Sequence, residues 1–504
     1  MSRSSASKSR QPLRILLFTA ESCKFCPEVD RIVRKFIGSN IGTKISVTTV
    51  DVDLSPETAA QFNVNTLPTV MMGSGANFER VLEGYMVEED IQDRLMNKIF
   101  QSILAGDLSS VKRKENLIWL TKNVIESVSR KNLIRENIGD YVHLQALQLN
   151  NMAILALDKV ASQLLYEAGR VFGLYGPLQM FLHMINPNIV KEFQIVSKFR
   201  EVVGALTRLY SRYEQFPILT ADSAQIIEIN DLNARIRVIG SACAVGAPKI
   251  GEPLCWALAG ELAGQIQAAT GRFARVKEES CWGTGATFCD FYIEILEEEA
   301  AAFATSTADA GKKEVQSRRT TFMNTLAEMT ENLQSSLMFK RQLRASGDYV
   351  HITILQQAFT TLKIMDSYCG MLLYSAGVTY GIFSDKRVLQ LALDREKLVP
   401  PISFSKAIQF VTEEFKHPTA MLTRKHSFVL SEITEDEVEE VGYIILYELA
   451  YAAGASDVGE TFCDFMAGFI NGRLQLLVAA DTIVKEVECF GLGNNRCRFK
   501  ISVV

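Results

Sequence analysis

Cys489-Phe490-Gly491-Leu492-Gly493-Asn494-Asn495-Arg496-Cys497 has a twin upstream in Cys281-Trp282-Gly283-Thr284-Gly285-Ala286-Thr287-Phe288-Cys289. Both stretches set two glycines between two cysteines, and both continue into Phe and Ile: Phe291 and Ile293 in one, Phe499 and Ile501 in the other. The same offset of 208 residues carries Cys255 onto Cys463, Gly260 and Gly264 onto Gly468 and Gly472, Gly169 onto Gly377, and Gly139 to His143 onto Gly347 to His351. Self-similarity at a fixed spacing marks a duplicated structural unit. Two copies, over 112–297 and 320–504, therefore make up most of the chain, with 298–319, rich in Ala, Ser, Thr and Lys, as the linker.

The remainder is an N-terminal stretch of about a hundred residues, so the 504-residue chain divides into three folded parts. A hydrophobic content of 48% with 22% charged residues is that of a globular protein. The net charge of −5, with no basic stripe interleaved with aromatics, excludes a general nucleic-acid surface. No run of about 18 apolar residues is present, so no integral membrane segment is expected. Residues 1–12 read as a disordered tail. Ten cysteines with no secretory pattern point to a reducing, cytoplasmic setting, where thiols serve redox chemistry, metals or packing. Cys243 and Cys369, which have no twins, read as small buried hydrophobes.

In the N-terminal part, Leu13 to Ala20 reads as a buried strand and Pro27 to Ile37 as a helix with Val29, Ile32, Val33 and Phe36 along one face. Cys23 and Cys26 thus stand where a strand turns into a helix, a place where unsatisfied N–H groups and the helix dipole favour a thiolate. Further strands are predicted over 44–53, 70–72 and 78–84, and helices over 56–62 and 88–104. This β-α-β-α-β-β-α order, with Cys23-Lys24-Phe25-Cys26 after the first strand and Thr66-Leu67-Pro68-Thr69 before the third, resembles the thioredoxin and glutaredoxin family over residues 13–104, within a domain expected over 13–108. The resemblance implies that Cys23 is the nucleophile towards a disulfide-bearing protein, Cys26 the resolving thiol and Pro68 a cis-proline that sets a backbone edge against the substrate. The chain departs from thioredoxins in carrying Ser22 where they have Trp, and Lys24-Phe25 where they have Gly-Pro.

Each repeated copy reads as helices first and sheet last. A long amphipathic helix is predicted over 150–172, another over 190–213 and a third over 253–270, with strands over 224–229, 235–244, 273–281 and 289–296. Gly169 with Gly173, and Gly260 with Gly264, recur at a spacing of four, which opens a helix face to close approach by another backbone. The Leu164-Leu165-Tyr166-Glu167-Ala168-Gly169 helix, the Cys255 to Gly264 helix and the closing Cys-x-Gly-x-Gly-x3-Cys-x-Phe resemble the 4-vinyl-reductase-like domain, an α+β domain related to TRAPP vesicle-tethering subunits and to bacterial sensors of aromatic compounds. The fold class expected is an α/β thioredoxin fold followed by two α+β domains of helices and antiparallel sheet, related by internal duplication. The resemblance implies binding of a small apolar molecule (an aromatic, tetrapyrrole-like or lipid ligand) and pairing of the two copies as an intramolecular pseudo-dimer. No nicotinamide or flavin fingerprint supports reductase chemistry.

Three cysteines per copy suit zinc, which takes a fourth ligand for tetrahedral closure. The candidate sets are Cys255, Cys281 and Cys289 with Glu252, and Cys463, Cys489 and Cys497 with Glu460. Duplicated alternatives for the fourth ligand are His143 with His351 and Glu278 with Glu486. Alternation along a strand places Glu278, three residues before Cys281, on the opposite face. The alternative is that the triplets are core packing, since cysteine is among the most buried residue types. Two functional classes follow: a dithiol-disulfide oxidoreductase coupled to a tandem ligand-binding platform, or a non-enzymatic sensor, carrier or TRAPP-like scaffold in which the thioredoxin fold only docks.

Overall fold

The computed structural model describes residues 12–39, 45–104, 119–120, 123, 134–136, 139–175, 198–210, 221–297, 320–327, 329, 348–366, 368–384, 386–415, 429–430 and 441–503. Residues 1–11 of the tail expected over 1–12 and the whole linker over 298–319 lie outside them, as do His183, His417 and His426, the three histidines without a twin in the other copy. Two compact units divide the chain: Met1–Ser110 with Asp366–Leu372, and Val111–Met365 with Leu373–Val504.

In the first unit, β1 (Arg14–Thr19), α1 (Cys26–Ser39), β2 (Ser46–Asp51), α2 (Pro56–Gln61), β3 (Thr69–Ser74), β4 (Asn77–Glu83) and α3 (Glu88–Leu104) follow the expected order. The sheet runs β2-β1-β3-β4, with β1 parallel to β2 and antiparallel to β3. Ile15, Leu17 and Phe18 of the central strand are fully buried, as are Val29, Ile32 and Val33 on the inner face of α1. An apolar strand between two neighbours and a helix striped at i, i+3, i+4 are what such a core requires.

The second unit holds both copies apart from Asp366–Leu372 of the second. The first comprises β5 (Tyr141–His143), α4 (Leu144–Leu155), α5 (Lys159–Tyr175), α6 (Phe199–Tyr210), β6 (Ser223–Ile229), β7 (Asn233–Ile239), α7 (Trp256–Thr270), β8 (Phe273–Ser280) and β9 (Cys289–Leu296). The second comprises β10 (Tyr349–His351), α8 (Ile352–Met365), α9 (Cys369–Phe383), α10 (Lys386–Glu396), α11 (Phe404–Glu414), β11 (Val429–Leu430), β12 (Val441–Leu446), α12 (Asp464–Leu477), β13 (Thr482–Glu488) and β14 (Cys497–Val503). The sheets have matching orders, β6-β7-β9-β8 and β11-β12-β14-β13, antiparallel throughout.

The single helix expected over 150–172 is two helices. Asp158 breaks it: its carboxylate accepts the Val160 N–H at 2.7 Å, and the chain restarts as α5. The recurring glycines explain how helix meets helix. A Cβ on Gly169 would lie 1.9 Å from the Ala257 carbonyl oxygen, and one on Gly260 would lie 1.8 Å from that of Tyr166. Gly377 and Gly468 repeat the arrangement in the second copy, at 2.0 Å from the Phe465 oxygen and 1.9 Å from that of Tyr374. The tyrosine of the Leu-Tyr-x-Ala-Gly motif ties this helix pair to the sheet. Tyr166 Oη accepts the Val276 N–H at 3.1 Å, and Tyr374 Oη accepts that of Val484 at 3.4 Å, each from the outer strand of its sheet, where that N–H has no strand partner.

The repeated Asp-Tyr-Val-His segments join the copies. Tyr349, Val350 and His351 pair antiparallel with His143, Val142 and Tyr141, and each histidine ring meets the facing tyrosine edge-on at 5.5 Å. His351 is fully buried, 4.0 Å from the Asp140 carboxylate. Burial lowers its pKa to about 4, with Arg135 adding to the shift and Asp140 opposing it. A proton therefore binds the unfolded chain before the folded one, so stability is complete above about pH 6.5 and falls as pH drops towards 4, by up to about 3 kcal/mol. Unfolding free energies of the wild type and His351→Gln across this window measure the effect: the variant's pH slope is expected to be shallower, and equal slopes would contradict the assignment.

Candidate functional site

The dithiol forms where β1 ends. After Ala20 the chain turns, with the Cys23 N–H donating to the Ala20 carbonyl at 3.1 Å, and α1 begins at Cys26. The two sulfurs are joined in a disulfide, with Cα atoms 5.5 Å apart. Cys23 is half-buried and Cys26 buried, so the first sulfur is the accessible one. The Leu67–Pro68 bond is cis, and the Pro68 carbonyl accepts the Gly84 N–H at 2.8 Å. Beside the cysteines, the Phe25 ring, 49% exposed, stacks at 4.6 Å on Tyr85, 42% exposed. Two large rings are thus left in solvent next to the accessible sulfur, forming an exposed apolar patch.

The cysteine triplets converge in both copies. Cys255 precedes α7, while Cys281 and Cys289 close the neck of the hairpin from β8 to β9, which turns through a single 3₁₀ turn, Trp282–Thr284. Cys255 Sγ lies 3.5 Å from Cys289 Sγ, which is 3.9 Å from Cys281 Sγ. In the second copy Cys463 and Cys497 are 3.4 Å apart, with Cys489 beside them.

The carboxylate that joins each triplet is Glu278 and its twin Glu486, not Glu252 and Glu460: in each set the four ligand atoms lie within 4.8 Å of one another, and all four residues are buried. The register explains the difference. A bulge between Glu278 and Ser280 inserts one residue, so Glu278 faces Phe291 and Ser280 already faces Asp290; the same shift separates Glu486 from Glu488. With the extra residue, three steps along the strand return to the same face. Counting forward from inward-facing Ala274 and Val276, rather than back from Cys281, places Glu278 in the core. Glu252 and Glu460 serve instead through their backbone: their carbonyls press on Gly283 and Gly491, where a Cβ would come within 2.3 and 2.2 Å. His143 and His351 are spent on the ribbon and on helix starts, where their Nδ1 atoms accept the N–H groups of Gln145 and Thr353, each at 3.3 Å.

The electrostatics of the clusters ask for a cation. Hydrogen bonds from the Cys255 and Cys289 thiols lower Cys281 to about 3, while burial pushes Cys255 up. Burial raises Cys489 but the thiols of Cys463 and Cys497 outweigh it, leaving it at about 3. Glu278 and Glu486 are pushed well up, first by burial and then by the neighbouring sulfur charge. One oxygen of each glutamate accepts a backbone N–H, from Cys255 and Cys463, both at 2.9 Å. The other, Oε1, is buried with no hydrogen-bond partner. Three sulfurs and an orphaned carboxylate oxygen in one dry site repel each other when ionised, and a thiophilic divalent cation removes that repulsion. The residues present therefore fit a metal ion.

The two sites are not identical. Beside the second, the buried Lys363 ammonium contacts Asp464 at 2.6 Å. The twin positions in the first copy are Leu155 and Trp256, whose indole N–H donates to the Pro253 carbonyl at 3.0 Å.

Comparison with known proteins finds two families along the chain. The thioredoxin family matches residues 4–97, and the 4-vinyl-reductase domain family matches 234–295 and 443–503. One uncharacterized protein of Methanocaldococcus jannaschii is 34% identical over 61 residues, 12% of this chain and only 38% of that relative's length. A second from the same organism is 24% identical over 162 residues, 32% of this chain and 80% of the relative. Two solved structures align with a TM-score of 0.16: one titled a malarial protein, 22% identical over 17% of this chain and 96% of its own, and one titled thioredoxin-2, a component of malaria parasite protein secretion machinery, 23% identical over 18% of this chain and 85% of its own. No helix among the described residues is long and apolar enough to cross a membrane. The chain is a thioredoxin domain followed by two 4-vinyl-reductase domains.

Proposed function

We propose that the first domain is a dithiol-disulfide oxidoreductase and that the two 4-vinyl-reductase copies form a metal-pinned platform, paired as an intramolecular pseudo-dimer, that recognises a small ligand or partner. The observation that carries the redox part is the half-buried Cys23 just ahead of α1, bonded to the buried Cys26 at the helix's first residue and flanked by the exposed Phe25 and Tyr85 rings. In the reduced chain, the Cys23 thiolate attacks one sulfur of a substrate disulfide and expels the other as thiolate. Cys26, deprotonated, then attacks the Cys23 sulfur, releasing the second substrate thiolate and re-forming the Cys23–Cys26 bond. Two electrons pass from the dithiol to the substrate, and an external thiol restores the dithiol. The helix start favours the attacking thiolate.

Cys255, Cys281, Cys289 and Glu278, and Cys463, Cys489, Cys497 and Glu486, would each hold one zinc ion. Four protein ligands complete a tetrahedron and leave no open position, so the ion's contribution is to cross-link the helix start to the hairpin neck rather than to activate a substrate. The apolar ligand class rests on the likeness to the 4-vinyl-reductase domain. Dithiothreitol-driven reduction of insulin disulfides tests the redox part: multiple turnovers are expected, and a rate no faster than dithiothreitol alone would reject it.

A further inference from the structure

The 208-residue offset exposes a difference at the junction of the two copies. In the second copy Phe359, Tyr451, Phe465 and Phe469 form a ring cluster, with Phe359 5.6 Å from Phe465 and 5.4 Å from Tyr451, and Tyr380 bridging Phe465 and Phe469 at 5.7 and 5.6 Å. Their twins in the first copy are Asn151, Cys243, Ala257 and Glu261. Four aromatic side chains are thus replaced by four smaller ones, and a cavity lies there, lined by these four together with Gly169 of α5 and by Ile354, Gln357 and Ala358 from the other copy. The space is of the order of one or two water molecules.

The polar atoms around this cavity are mostly acceptors. The Glu261 carboxylate takes an N–H from Gln265 and another, across the junction, from Gln357, both at 2.8 Å. Asn151 Oδ1 is buried with no partner, and so is Gln265 Oε1 just behind. Tyr210 and Cys243 are the other titratable groups facing Glu261 and Gln265. No cation faces Glu261 among the described contacts, and burial pushes its carboxyl up to about 7 against the two amide bonds. A half-buried acid and the spare Asn151 acceptor, in a lining that also holds Leu147, Ala168, Leu258 and Ile354, call for a small positive donor with a short apolar stem.

We propose that the junction cavity binds a short-chain primary ammonium ion, with Glu261 as its counter-ion and Asn151 Oδ1 as a second acceptor. The proposal rests on the platform reading and narrows it: only the first copy holds the site, because the second copy has filled the same space with rings. A ligand of so few atoms binds no more tightly than about millimolar.

Saturation-transfer NMR with the full chain, using methylammonium as probe and methanol as its neutral counterpart, tests this; each has two heavy atoms, the size the space admits. Saturable methylammonium binding is expected, at least about tenfold weaker in Glu261→Gln, which keeps the side-chain shape, and lost in Ala257→Phe, which installs the second copy's residue. Absence of saturable methylammonium binding, or equal binding by Glu261→Gln, would overturn the proposal. Methanol binding as well as methylammonium would also overturn it, while leaving an apolar-ligand platform standing.

Discussion

Cys23→Ser is expected to abolish catalytic disulfide reduction, lowering turnover by about a thousandfold or more. The nucleophile in thiol-disulfide exchange is the thiolate, and a serine hydroxyl stays protonated at neutral pH. Cys26→Ser has a different signature. Cys23 still attacks, but nothing resolves the adduct, so the substrate stays covalently bound at one equivalent per chain and turnover stops after the first event. The paired outcome separates a redox module from a docking module, since a thioredoxin fold that only docks gives no adduct in Cys26→Ser. The eight remaining cysteines are all buried, so they do not supply a background nucleophile.

The second large effect is on stability. Gly169→Ala is expected to cost at least about 3 kcal/mol despite alanine's helix preference of about 1 kcal/mol over glycine. The added carbon would meet the Ala257 carbonyl oxygen at 1.9 Å, and that atom belongs to the backbone of a packed helix, which cannot swing aside. Gly204 is the control. Its Cβ would meet only the flexible Arg208 guanidinium, at 3.3 Å, so Gly204→Ala is expected to be neutral or stabilising by up to about 1 kcal/mol. Denaturant melts separate the two variants, with only Gly169→Ala destabilised; a Gly169→Ala chain as stable as the wild type would show that the helices stand further apart.

Why the glycines, the cysteines and the domain order could be read from sequence, while Glu278 and the break in the first helix could not, has a physical answer. Close helix approach leaves a direct trace, because small residues must recur at a spacing of four on both partners. Gly169 with Gly173 and Gly260 with Gly264 are the two faces that meet. A dithiol at a strand-to-helix turn is equally local. A β-bulge is set by the partner strand and the hairpin neck, so strand phase counted back from Cys281 gave the wrong face for Glu278. The junction cavity depends on Gln357, more than 90 residues from Glu261 in sequence but 2.8 Å away in space. The twin comparison hinted at it, since Glu261 stands where the other copy has Phe469, but only tertiary packing makes the difference a cavity. Likewise His143 and His351 looked like spare ligands until the ribbon between the copies gave them another use.

Native mass spectrometry of the purified chain, reduced with a thiol that does not strip metal and then briefly alkylated, asks whether the buried triplets hold metal while the N-terminal pair alone reacts. Two zinc ions per chain are predicted, with alkylation confined to Cys23 and Cys26 and one zinc lost in Cys255→Ser. A metal-free chain whose triplet cysteines alkylate as fast as Cys23 would contradict it.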